Sequence, residues 1–222
     1  MARIILLTTL EGADLAQIKA DFRAADAVVT VVRDRVSLDA QAFGDDTTLV
    51  SFGTGVIVPP ATLGRLRRKA YNVHAASPAY PGRDPHHFAI YDGAVRYGAT
   101  MHVMTERVDA GPIVAVDLFD VPQESRPRQL LQMANEAGMR LIGRHAQTLA
   151  SGMELAVLAG VAWAPVKRSR QDFLAACRIT ADISSAEFER RFKAFDGEGY
   201  DNLTLDVHGR LFRIDKCDGR RP

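Results

Sequence analysis

Ile4-Ile5-Leu6-Leu7 and Ala27-Val28-Val29-Thr30-Val31-Val32 are two short, unbroken apolar runs, and the stretch between them, from about Ala13 to Ala24, places Leu15, Ile18 and Phe22 at helical spacing. A run with no polar alternation is what a strand buried on both faces looks like, so 4–32 predicts strand, helix, strand, with the two strands parallel. Working outward, Thr48-Leu49-Val50-Ser51-Phe52 is a third run; after Pro59-Pro60 comes a short basic helix with Leu63 and Leu66, then a fourth strand ending near Val73. Thr100 to Met104 and Ile113 to Phe119 supply two more. Alternating units of this kind predict an α/β fold with an open, mostly parallel, Rossmann-like sheet, flanked by helices, whose ligands sit beyond the carboxyl ends of the strands. Ser125, with Pro127 in the first turn, is expected to cap a long helix running towards Gly152, its Leu130, Met133, Ala134, Ala137 and Leu141 forming a core face. Past Trp163-Ala164-Pro165 the character changes. Ser184-Ser185-Ala186-Glu187 reads as a capping box for a helix carrying Phe188, Phe192 and Phe195, and Leu203 to Val207 with Arg210 to Ile214 reads as a hairpin. The expected division is a catalytic unit over 1–160 and a small extension over 161–222.

With 28 basic and 27 acidic residues the 222-residue chain has a formal net charge of +1, so no global field attracts nucleic acid or an anionic membrane. Its 47% hydrophobic content suits a soluble globular protein. Cys177 and Cys217 stand 40 apart without a Cys-x-x-Cys pair, which disfavours a disulfide framework and a zinc site and suits a reduced cytoplasm. The first apolar run is too short for a signal-peptide core, and no segment approaches the ~18 apolar residues of a membrane span.

Asn72-Val73-His74 closes the fourth strand, and Asp109 follows 35 residues after His74 in Arg107-Val108-Asp109-Ala110-Gly111-Pro112-Ile113. Two apart in an extended segment, Asn72 and His74 leave on the same face, where an amide donor and an imidazole can converge on one carbonyl, with Asp109 to orient and charge the imidazole. The plainer alternative is a strand-ending asparagine and a hydrogen-bonded core histidine. His86 and His87 are adjacent near the start of a helix, point in different directions and are not expected to share a metal ion. Lys167-Arg168-Ser169-Arg170 is either a solvated loop or a clamp for substrate phosphates. Gly53-Thr54-Gly55 has too few glycines for a dinucleotide fingerprint.

Tyr71-Asn72-Val73-His74-Ala75-Ala76-Ser77-Pro78-Ala79-Tyr80-Pro81-Gly82 resembles the Asn-x-His-x-(few)-Pro-x-x-x-Gly signature of the folate-dependent formyltransferases, closest to their sugar N-formyltransferase branch. Tyr97-Gly98-Ala99-Thr100-Met101-His102-Val103 and Val108-Asp109-Ala110-Gly111-Pro112-Ile113 resemble the next two landmarks, in order. The resemblance covers about 47–120, and 160–214 more loosely. It implies that Asn72, His74 and Asp109 are catalytic, and that 10-formyltetrahydrofolate is the co-substrate. It further implies that Phe52, Gly53, Val56, Ile57, Thr105 and Val108 wall the folate pocket, with His102 a supporting site residue. For Val56 and Ile57 plain core packing competes with that role, for His102 a buried hydrogen-bonded histidine does, and for Ser77 and Tyr80 turn chemistry competes with substrate contact. The segment between the strands at Ala27 and Thr48 is shorter than the family usually has. The loop after His74 lacks the Pro-Ser-Leu-Leu-Pro wording of the purine and initiator-tRNA branches. The resemblance therefore implies formyl transfer to the primary amine of an amino sugar presented as a nucleotide-linked sugar, with no nucleic-acid or membrane partner and with room for a homodimer. Glycinamide ribonucleotide transfer and formyl-folate deformylation are the runners-up within the chemistry; a non-catalytic folate-binding module is the alternative of another class.

Overall fold

The computed structural model describes residues 1–197 and 199–214; Cys217, weighed above against a disulfide or a zinc site, lies outside them. The leading strand-helix-strand unit forms as β1 (Ala2–Leu7), α1 (Gly12–Ala24) and β2 (Ala27–Val32). α2 (Arg35–Asp39) supplies the one short helix before β3 (Thr47–Phe52), and α3 (Pro60–Leu63) precedes β4 (Tyr71–His74). Then come α4 (Pro85–Tyr91), β5 (Arg96–Val103), β6 (Ile113–Asp120) and the 25-residue α5 (Pro127–Ser151). The remainder is α6 (Arg170–Cys177), β7 (Arg178–Thr180), α7 (Ser185–Phe195), β8 (Asp196–Gly197), β9 (Tyr200–Asp201), β10 (Thr204–Val207) and β11 (Arg210–Arg213).

Six strands form one sheet in the order β2-β1-β3-β4-β5-β6. The first four pair in parallel, with Ile4 opposite Val29 on one side and Thr48 on the other; β5 and β6 add an antiparallel edge. β1 shows why the run has no polar alternation. Ile4 and Leu6 pack with Ile18, Phe22, Leu141 and Ile142 under α1 and α5, whereas Ile5 and Leu7 pack with Leu38, Leu49 and Ala70 on the opposite face. Successive side chains leave opposite faces, and both faces are covered. α5 crosses the sheet with Gly138 against the Phe52 ring, where a Cβ would come within 2.6 Å of it. The chain leaves β1 to one side for β2 and returns to the other for β3, so a crevice opens beyond the carboxyl ends of β1 and β3.

The cap of α5 differs from expectation. Pro127 occupies the first helical position, which makes Arg126 the N-cap, and the Ser125 hydroxyl donates instead to the Pro122 carbonyl at 2.7 Å. Gly152 ends the helix in a left-handed conformation at φ 77°. Ser184 does cap α7 through the Glu187 N–H, but the Glu187 carboxylate turns to Arg190, Arg191 and Tyr91 rather than back to the cap. Phe173, Cys177, Ile179, Ala194, Phe195 and Leu203 bury themselves with Phe88 of α4, so the tail shares its cluster with the main sheet's own helix. The hairpin β10–β11 closes through His208 and Gly209, both left-handed.

Candidate active site

β4 is buried at Tyr71 and Val73 and half-buried at Asn72 and His74, so alternation turns the latter two to the cavity face at the strand's carboxyl end. Antiparallel pairing with β5 sets Asn72 opposite His102. Their side chains meet at 3.1 Å, Asn72 Nδ2 to His102 Nε2. His102 Nδ1 lies 3.0 Å from the Val103 carbonyl, which can only accept, so this nitrogen carries a proton, while Nε2 faces both the Asn72 amide and Asp109. His74 is oriented by the same logic. Its Nε2–H donates to the Tyr80 carbonyl at 2.9 Å, which leaves Nδ1 to face Asp109.

Asp109 sits in the turn after β5 with a left-handed backbone, φ 45°, and is 6% exposed. Its Oδ1 lies 3.5 Å from His102 Nε2 and 3.8 Å from His74 Nδ1, and its Oδ2 accepts the Gly82 N–H at 3.0 Å. Burial by itself raises this carboxyl; the His74 charge, the His102 hydrogen bond and charge, and the Gly82 N–H outweigh it and bring the pKa down to about 2. Two glycines permit the approach. A Cβ on Gly82, at φ 102°, would fall 2.1 Å from the Arg168 carbonyl oxygen, and one on Gly111 would fall 1.8 Å from that of Val103.

Asn72, His74, His102 and Asp109 border a cavity of about 810 Å³. Gly53, Val56, Ile57, Thr105 and Val108, expected at a pocket wall, all line it, with Leu10 beyond β1. Three expectations change. The Phe52 ring is fully buried against Gly138 in the sheet core, because it falls on the α5 side of β3. Ser77 is buried without lining the cavity, and its hydroxyl has no hydrogen-bond partner. The Tyr80 side chain packs in the apolar clusters around Phe88 and Tyr97, so its contribution near the site is its carbonyl.

His86 and His87 stack 4.3 Å apart, but their nitrogens diverge: His87 Nδ1 meets the Ala194 carbonyl at 2.6 Å, while His86 lines the cavity with a buried, unpartnered Nδ1. Burial, and then the neighbouring His87, hold His86 neutral down to about 3. No group of three or more His, Cys, Asp or Glu among the described residues is arranged to hold a metal ion. Among the described residues no helix is long and apolar enough to cross a membrane.

The sequence reading missed several groups. Leu131 and Asn135 of α5 and Arg83 and Asp84 before α4 line the cavity; the Lys167-Arg168-Ser169-Arg170 cluster, which the sequence left open between a solvated loop and a clamp, lines it as well. Arg170 and Arg83 reach the Asp84 carboxylate at 3.6 and 4.0 Å. Trp163 stands against both imidazoles and donates its Nε1–H to the Gly111 carbonyl at 2.8 Å. Its being the chain's one tryptophan, followed by Ala-Pro, was the available signal.

A formyl transferase family profile matches residues 19–145. A methionyl-tRNA formyltransferase of Halalkalibacterium halodurans is 30% identical over 122 residues, 54% of this chain and 38% of that protein. The match thus spans about two fifths of that relative's length. Among solved structures, a sugar N-formyltransferase from a Shewanella species superposes with a TM-score of 0.77 at 15% identity over 96% of each chain. An N-formyltransferase from Helicobacter canadensis, solved in complex with folinic acid and dTDP-3-aminofucose, gives 0.69 at 18% identity, covering 94% of this chain and 85% of that one.

Proposed function

Because the chain belongs to the formyl transferase family, we propose that it moves a formyl group from 10-formyltetrahydrofolate to the primary amine of an amino sugar carried on a nucleotide. The observation that carries the reading is the convergence of Asn72, His74, His102 and Asp109, from three separate segments, on the wall of one cavity. Attack of an amine lone pair on the formyl carbon gives a tetrahedral intermediate with a negative oxygen; the bond to folate N10 then breaks, one proton leaving the amine and one arriving on N10. Such an intermediate needs donors aimed at its oxygen. The Asn72 amide, beside His102 Nε2, keeps an N–H to aim at that oxygen, while His74 keeps Nε2–H on Tyr80 and an Nδ1–H would be shared between the oxygen and Asp109 at 3.8 Å.

Asp109, at about 2, stays ionised through such a cycle. Its work is electrostatic, holding imidazolium charge, and the proton in transit rests on a histidine rather than on this weakly basic carboxylate. Gly53, Val56, Ile57, Thr105 and Val108 would wall the folate, in keeping with the folate analogue bound by the Helicobacter canadensis protein. Lys167, Arg170 and Arg83, which also line the cavity, offer cations to the phosphates of a nucleotide-linked acceptor. The fold-wide match to a sugar N-formyltransferase supports an amino sugar; the 30% identity to methionyl-tRNA formyltransferase supports an aminoacyl-tRNA instead. The test is incubation with 10-formyltetrahydrofolate and a panel of nucleotide-linked amino sugars, glycinamide ribonucleotide and methionyl-tRNA, read as mass gain of one formyl group. Gain on the amino sugars is the expected result. Gain on another acceptor only refutes the sugar assignment, and formate release without any formylated amine points to a deformylase.

A further inference from the structure

Trp163 follows α5 and lies outside the matched family segment, yet it occupies the back of the site. Its ring stands edge-on to His102 at 5.1 Å and 86°, and to His74 at 5.9 Å and 65°. Its Nε1–H holds the Gly111 carbonyl, two residues beyond the left-handed Asp109. The residues after it lace the two loops of the site together. The Ala164 N–H donates to Pro78 O at 2.9 Å, the Arg168 N–H to Pro81 O at 3.1 Å, and the Arg83 N–H to Arg168 O at 2.9 Å; Lys167 Nζ donates to the Val108 carbonyl. One of those loops supplies the Tyr80 carbonyl to His74 and the Gly82 N–H to Asp109; the other carries Asp109 itself.

We propose that Trp163 is a positioning residue, which sets the planes of both imidazoles and the height of the Asp109 turn so that His102 Nε2 and His74 Nδ1 face one carboxylate oxygen. Edge-to-face contacts select ring orientation, and the indole N–H leaves the turn carbonyl no other protein donor to seek. The groups facing the indole are His74 from β4, His102 from β5 and the Asp109 turn, with Lys167 on the same strap. The kinetic consequence rests on the formyl-transfer reading; the placement of the indole does not.

The chain holds one tryptophan, so the wild-type protein carries its own reporter. An indole in edge contact with two imidazoles reports on both, and its intrinsic emission is expected to change in His102→Gln and in His74→Gln. Trp163→Phe keeps a ring edge and loses the N–H; it is expected to lower kcat about 10-fold and Trp163→Ala about 100-fold, the scale of a misplacement near 1 Å, with KM for both substrates little changed. Both variants are expected to move the imidazole nitrogen resonances of His74 and His102 and the pH-rate profile. A rate loss with unmoved histidine resonances, or a wild-type pH-rate profile in Trp163→Phe, overturns the proposal. If the variants do not fold, wild-type emission in both His102→Gln and His74→Gln overturns it and altered emission in both supports it. Failure of formyl transfer to every amine, with the emission changes as expected, refutes the function and leaves the placement standing.

Discussion

Replacing Asp109 by asparagine keeps the shape of the neutral carboxyl and deletes the charge. The fall from the usual 3.8 to about 2, at about 1.36 kcal/mol per pKa unit, means that the folded protein holds the carboxylate better than the carboxyl by about 2 kcal/mol. Because the folded value is the depressed one, this stabilisation is essentially complete above the unfolded value and drains as pH falls from there towards about 2. Asp109→Asn should therefore unfold about 2 kcal/mol more easily than wild type at pH 5 and only about 1 kcal/mol more easily at pH 3. Urea denaturation of both proteins at the two pH values measures the gap; at pH 5 it corresponds to a Tm lower by about 5–10 °C for a chain of this size. The buried, neutral His86 sensitises both proteins to acid alike, so its effect cancels in the difference. An equal gap at the two pH values, or none at pH 5, would refute the claim that the two imidazoles and the Gly82 N–H hold a charged Asp109.

Three further outcomes follow from the same geometry. Asn72→Ala and His74→Ala should each cut formyl transfer by roughly 100-fold to 1000-fold while circular dichroism stays native; near-normal rates in both would remove them from the chemistry. Gly82→Ala pushes a methyl to within 2.1 Å of the Arg168 carbonyl, so it should destabilise by about 1–3 kcal/mol and weaken the Asp109 contact, seen as a lower urea midpoint together with slower turnover. Arg83→Ala with Arg170→Ala should raise KM for a nucleotide-linked acceptor by at least about 10-fold and leave the KM for folate unchanged; equal KM values for the acceptor would leave those two cations only their pairing with Asp84.

Much of this molecule could be read from the order of its residues alone. The unbroken run at Ile4–Leu7 meant a strand covered on both faces, and the spacing of Leu15, Ile18 and Phe22 meant the helix after it, because burial of a regular backbone leaves a periodic trace; Ala27–Val32, equally unbroken, became the edge strand with Val28 half exposed. Asn72 and His74 sharing a face followed from strand alternation alone. The Arg126 cap was legible too, since a proline in the first helical position makes the residue before it the cap. Pairing was different. Which way β5 and β6 run, and hence that His102 stands opposite Asn72, is decided by hydrogen bonds between segments that leave no periodic mark. Phe52 went to the core rather than the pocket because α5 offers Gly138, 86 residues later in the chain, to its ring. The charge of Asp109, the strap from Trp163 to Arg168 and the rim of Arg83 and Arg170 exist only once distant backbone meets at Gly82 and Gly111. Local pattern sets which face a side chain leaves; what it finds on leaving is a property of the packed chain.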